Sequence, residues 1–254
     1  MKKTILLLAL SLSCLSAFGQ NKIILATDIQ DTAPKFMLKD GKPAGIGIDI
    51  MNLLEATGNF KFRYEFKFTP GKAIQANMKS GESDIHIGWA LTPERQKFAT
   101  FGEELFKVTY VGVVRKDDKA DFKSVSDLIK LGDQGIVLAN FGAASTASLK
   151  KIQGLKVDES GEDMTTNLAK LAGGKGRVYI FHNLGIGYEM QKPGNASKFR
   201  VVNIDFETHE ALKETPQFVA FSKKVPAETV QKINSALVKS KKEIDAIVKK
   251  YTSN

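Results

Sequence analysis

An α/β fold in two lobes is what this sequence predicts, and three observations carry the prediction. Strand-like and helix-like stretches alternate from residue 22 to residue 96, an order that implies parallel strands joined by crossovers. A design of strand, glycine-bearing loop and helix start occurs twice, once ending at Thr92-Pro93-Glu94-Arg95 and once at Ser145-Thr146. The chain of 254 residues, even without its first nineteen, is too long for one small core and suits two lobes of ordinary domain size.

Residues 1–19 are set apart from that fold. Lys2-Lys3, an apolar run over 5–12 and small residues up to Gly19 form the charged, apolar and cleavage regions of a secretory signal, too short to anchor in a bilayer. The sole cysteine, Cys14, lies inside it. Cleavage after Gly19 leaves a chain without a thiol, which suits an oxidising compartment and excludes thiolate chemistry. Lipid attachment at Cys14 is the alternative, although Leu10 stands one position too early for it. The formal charge of +9 falls by two with Lys2 and Lys3. The remaining lysines are scattered among acidic neighbours, with no arginine-rich arm or aromatic stripe, so a solvated surface fits better than nucleic-acid binding.

In order, residues 22–26 read as a strand closed by Thr27-Asp28, and Pro34, Asp40-Gly41 and Pro43 mark turns with a hairpin at Asp40-Gly41. A helix carrying Ile50, Met51, Leu53 and Leu54 is expected after a capping Asp49, ended by Gly58. Alternating aromatics over 61–68 predict a strand, and Ala73, Ile74, Asn77 and Met78 a helix stopped at Gly81. Residues 84–88 form a buried strand that runs into Thr92-Pro93-Glu94-Arg95, where Thr92 caps, Pro93 fits the first helical position and Arg95 offers a fork of donors for a carboxylate or phosphate. In open α/β sheets a ligand sits beyond the carboxyl ends of the strands, so Arg95 is the first candidate for anion binding.

Residues 108–114 form an apolar strand long enough to pass from one lobe to the other. A short helix over 127–131, a strand over 135–139 and the loop Asn140-Phe141-Gly142-Ala143-Ala144 then lead to Ser145-Thr146, either a second anion-friendly helix end or a plain cap. A helix over 162–171 precedes a strand over 177–181 that delivers His182, a strand over 199–204 follows, and residues 217–222 return to the first lobe. Two amphipathic helices with outward lysines close the chain. His86, His182 and His209 share no metal-ligand spacing, and no serine elbow or paired acid and base is evident, so binding without turnover is the simpler expectation, with no cofactor, metal or catalytic residue assigned.

Thr27-Asp28, the run from Lys39-Asp40-Gly41 to Asp49, Ser80-Gly81-Glu82-Ser83-Asp84, Thr92-Pro93-Glu94-Arg95, Ser145-Thr146 and the helical tail to Tyr251 together resemble the periplasmic extracellular solute-binding proteins, family 3, best known as amino-acid receptors of ABC importers. The resemblance covers essentially the whole chain after the signal. It implies a type II periplasmic binding fold with two hinge crossings, near 106–112 and 213–218. The lobes would be 20–108 with 215–254, and 109–214. It further implies a monomer in the periplasm, a small carboxylate-bearing ligand such as an amino acid, and a membrane permease as partner. Arg95 would bind the ligand's carboxylate, with Trp89, Ala90 and the amide of Thr146, beside Ser145, in the same pocket, and Asp28 near the ligand's far end. The chain departs from the family where His182 replaces the aspartate that holds an α-ammonium, where Ala90 replaces a hydroxyl, and where Thr32 and Gly71 replace aromatic platforms. A ligand with two acidic groups, or a carboxylate without an amino group, gripped by Arg95 and a protonated His182, is the reading those departures suggest. Trp89 either stacks on the ligand or fills the core. A sensor component that signals to a membrane kinase, or a dehydratase-like enzyme with a positioned acid, would use the same scaffold.

Overall fold

The computed structural model describes residues 22–65, 67–119 and 122–252; the segment read as a secretory signal, Cys14 included, lies outside them. The first elements are β1 (Ile23–Ala26), β2 (Met37–Lys39), β3 (Lys42–Ala44), α1 (Ile46–Thr57), β4 (Phe60–Arg63), α2 (Gly71–Ser80), β5 (Ile85–Ala90) and α3 (Pro93–Gln96). β1 runs parallel to β4, and Thr27 bridges Ile85 in parallel, so the predicted crossovers are present. β2 and β3 form the expected hairpin, whose turn residues Asp40 and Gly41 both have positive φ, the geometry that matches strand twist.

Several boundaries differ from expectation. α1 begins at Ile46, a turn before the cap expected at Asp49, because the 34–35 backbone takes its first amides: Ile46 N–H donates to Pro34 O at 3.0 Å and Gly47 N–H to Lys35 O at 2.9 Å. Gly45 permits that approach, since a Cβ there would lie 2.5 Å from Pro34 O and its φ is +114°. Asp49 instead accepts hydrogen bonds from Tyr251 Oη and Lys250 Nζ, both at 3.0 Å, tying the end of the chain to α1. β4 ends at Arg63 and does not extend over 61–68.

β6 (Ala99–Arg115) is far longer than the 108–114 strand expected. After it come α4 (Val125–Lys130), a 3-10 turn over Gly132–Gly135, β7 (Val137–Asn140), α5 (Ala144–Leu149), β8 (Val157–Gly161), α6 (Met164–Ala172), β9 (Val178–His182), α7 (Asn183–Met190), α8 (Asn195–Lys198), β10 (Phe199–Val202), α9 (Glu210–Lys213), β11 (Glu214–Ser222), α10 (Ala227–Lys239) and α11 (Lys241–Thr252). α7 was not legible in sequence because Gly185 and Gly187 disfavour helix; buried Ile186 and a cap from His182 hold it.

The main sheet runs β5-β11-β6-β9-β7-β8, with β10 also paired to β6. β6 makes it continuous: its first part pairs antiparallel with β11, while Tyr110–Val113 pairs with β9. The two crossings lie side by side, Glu214 opposite Thr109 and Gln217 opposite Phe106, giving the two-lobed type II fold with paired hinge strands.

Candidate functional site

Every residue of β5 is buried, so its carboxyl end is held rigidly. Gly88 is the extra residue of a β-bulge: Phe218 faces Trp89 and Val219 faces Ile87, leaving Gly88 unpaired at φ +79°. The bulge turns the Gly88 carbonyl toward Lys35, whose Nζ donates to it at 2.9 Å. A Cβ at Gly88 would lie 3.0 Å from the Lys35 side chain and 3.1 Å from the Phe106 ring, in addition to the strain of its φ.

Beyond Ala90 the chain turns at Leu91-Thr92 into α3, a single helical turn. Thr92 caps it as expected, its Oγ1 accepting from Arg95 N–H at 3.2 Å. One turn has little dipole to offer, so the positive character of this corner is the guanidinium itself. Arg95 is only 8% exposed; its Nη1 donates to Ala90 O at 2.9 Å, and its Cζ lies 4.5 Å from the centre of the Trp89 ring. Trp89 is buried against Phe98 and a small core of Ile74, Met78, Ala99 and Ala220, so the indole holds the arginine in place from behind. Burial pulls Arg95 down to about 10, still charged at neutral pH.

Arg95 opens into a cleft. Trp89, Ala90, Arg95, Ser145 and His182, all expected there, line it together with Thr32 and Gly71. Asp28 and Thr146 are not among the lining residues. The Asp28 carboxylate accepts from Thr69 Oγ1 at 2.9 Å, Asn77 Nδ2 at 3.0 Å and Ser83 Oγ, and faces a separate groove beside Arg63. It fastens α2 to β1, so the expectation that it approaches the ligand's far end is not met by this geometry. Thr146 is fully buried, and its hydroxyl donates to Asn140 O at 2.7 Å. Nor do Ser145 and Thr146 cap a helix: α5 starts at Ala144 with no side-chain cap, and Ser145 stands inside its first turn.

His182 ends β9 and caps α7, its Nδ1 accepting from Gly185 N–H at 2.9 Å. Burial, and then the charge of Lys35, push it down to about 3, so the imidazole is neutral at physiological pH. The protonated His182 expected from sequence is therefore corrected. His86 packs its ring 4.9 Å from the Trp89 ring, and burial with Lys35 and Arg95 holds it neutral as well.

Lys35 and Phe141 are among the cleft residues to which sequence reasoning gave no role. Lys35 lies in a stretch legible only as turns, and its one signal is its place between Pro34 and the buried Phe36. Phe141 comes from the loop after β7, with the Lys72 ammonium of α2 5.0 Å from the centre of its ring. It lines the same cleft as Thr32 and Gly71.

Residues 23–254 match the family described as bacterial extracellular solute-binding proteins, family 3. The chain belongs to that family. Among curated solute-binding relatives it is 32% identical over 110 residues to a probable histidine-binding protein of Neisseria gonorrhoeae, a match spanning 43% of this chain and 40% of that one. Its fold is similar to that of an amino acid ABC transporter substrate-binding protein of Streptococcus pneumoniae bound to L-arginine. That likeness has a TM-score of 0.74 and 20% identity over 91% of this chain and 94% of the other. It is similar too to an ancestral amino acid-binding protein, a precursor of cyclohexadienyl dehydratase, with a TM-score of 0.73 and 22% identity over 91% of this chain and 95% of the other.

Proposed function

We propose that the protein captures a small carboxylate-bearing solute between its lobes in the periplasm and presents it to the membrane permease of an ABC importer. The division is 20–108 with 215–254 for one lobe and 109–214 for the other, and the receptor acts as a monomer. The observation that carries this reading is Arg95: a buried guanidinium, aimed into the cleft at the end of β5, with Ala90 O and the Trp89 face as its partners and no carboxylate of the described lining residues beside it. Such a fork is suited to the two oxygens of a carboxylate. Amino-acid ligands of the relatives support the size and the acid group of the guest.

Binding without turnover is the better reading of the same cleft. A dehydratase needs a positioned acid, and the described lining residues include no aspartate or glutamate, while His182 is held neutral.

A thermal-shift screen over amino acids, monocarboxylates and dicarboxylates, repeated on Arg95→Met, tests the proposal. A ligand that raises the melting temperature of the unaltered protein but not of the variant is expected. A ligand that binds both equally would remove Arg95 as the anchor and the reading with it.

A further inference from the structure

Among the described residues that line the cleft, Arg95 is one of two basic side chains. Lys35 is the other: it is 9% exposed, lines the same walls, and has Gly88 O as its hydrogen-bond acceptor. Among the described residues that line the cleft there is no aspartate or glutamate to balance either charge. Burial, and then the Arg95 charge, pull Lys35 down to about 7, the mark of an ammonium held without a counter-charge.

The other polar groups lean the same way. The carbonyls of Gly88 and Ala90, which face these two side chains, already accept hydrogen bonds from them. His182 Nδ1 is occupied by Gly185 N–H, and a neutral imidazole that accepts at Nδ1 carries its proton on Nε2, so the ring has a donor left and no acceptor. The side-chain acceptors that remain, such as the amide oxygens of Gln30, Gln75 and Gln217, carry no full charge. An ammonium group on a guest would meet two like charges and no carboxylate. A second carboxylate would meet the Lys35 amine and, as an opposite charge beside it, would favour its protonated form.

We propose that the cleft is built for a small dicarboxylate without a free amino group, one carboxylate on Arg95 and the other on Lys35. The inference rests on the cleft being the solute site and adds the chemical class of the solute. It also reassigns the second contact: Lys35 takes the anionic group that sequence reasoning gave to a protonated His182.

Calorimetry with malonate, succinate, glutarate and adipate, against monocarboxylates of the same length and against glutamine, histidine and arginine, decides it. At least one dicarboxylate is expected to bind the unaltered protein about 100-fold or more tighter than its monocarboxylate counterpart. In Lys35→Met, which keeps the apolar stem, that ratio should fall below about 10, with Lys35→Arg retaining part of it. Equal affinity for the two acid classes, an unchanged ratio in Lys35→Met, or absence of dicarboxylate binding would overturn the inference. Should Lys35→Met not fold, the ratio on the unaltered protein decides alone. If a zwitterionic amino acid binds tightly and Arg95→Met abolishes it, the receptor reading stands and only the dicarboxylate falls. If no acid changes Trp89 emission or the melting temperature, both fall.

Discussion

Arg95 and Lys35 reach the same cleft by opposite routes. Arg95 arrives on regular structure: a wholly buried strand, a two-residue turn and a threonine cap fix where its backbone goes. Lys35 arrives on an irregular stretch whose shape is set from outside, by the amides at the start of α1 that take the carbonyls of Pro34 and Lys35, and by the bulge at Gly88 that turns a carbonyl to its ammonium. The contrast teaches that a motif can announce one half of a binding site while packing alone assembles the other.

The largest effect expected from that difference is on stability as pH rises. Unfolded, Lys35 keeps its proton to about 10.5; folded, it loses it at about 7. Between those values the unfolded chain binds more protons, so stability rises with pH, and the destabilising burial of the charge is fully felt below pH 7. The increment is on the order of a few kcal/mol, given how little of the side chain is exposed. Denaturant unfolding of the ligand-free protein at pH 7 and pH 10 should detect it as a difference from Lys35→Met, in which that rise is missing. Parallel pH curves for the two proteins would mean Lys35 is not a buried ammonium and would dissolve the contrast with Arg95.

Next in size is the loss of the regular anchor. Arg95→Met should weaken solute binding by about 100-fold or more, the consequence of losing a charge-assisted fork, roughly 3 kcal/mol by titration calorimetry. The fold should persist, because Trp89 stays packed against Phe98 and its core neighbours.

Gly88→Ala tests the irregular route without substituting either cation. A residue at φ +79° with contacts of 3.0 and 3.1 Å to Lys35 and Phe106 should cost about 1–3 kcal/mol by thermal or urea unfolding. It should also displace the Lys35 stem and so weaken binding. Unchanged stability would argue that the bulge is not what aims this carbonyl.

The smallest effect belongs to the regular route. Thr92→Ala removes one cap from a single helical turn and should cost about 1 kcal/mol by urea unfolding. Binding should weaken far less than in Arg95→Met, since Ala90 O and the indole still hold the guanidinium.

Much of this was legible in residue order. Crossovers, the hairpin at Asp40-Gly41 and the capped turn carrying Arg95 follow from local periodicity and turn chemistry. Ser145-Thr146 read as a cap by the same rules, yet no side chain caps α5, and the Thr146 hydroxyl donates back to Asn140 O. Asp28 sits at a strand's carboxyl end as a ligand contact would, but Thr69, Asn77 and Ser83 surround it with donors. No local pattern records which distant hydroxyls and amides converge on a carboxylate.

By itself the sequence determined the α/β order of elements, the family and one cation at a strand end, because each of these is written in neighbouring residues. Only the tertiary structure decided that Lys35 joins Arg95, that His182 is a neutral cap and that Asp28 faces elsewhere. Burial, hydrogen-bond partners and like-charge repulsion depend on residues far apart in the chain, and those are what fix the charge and the donors of the cleft.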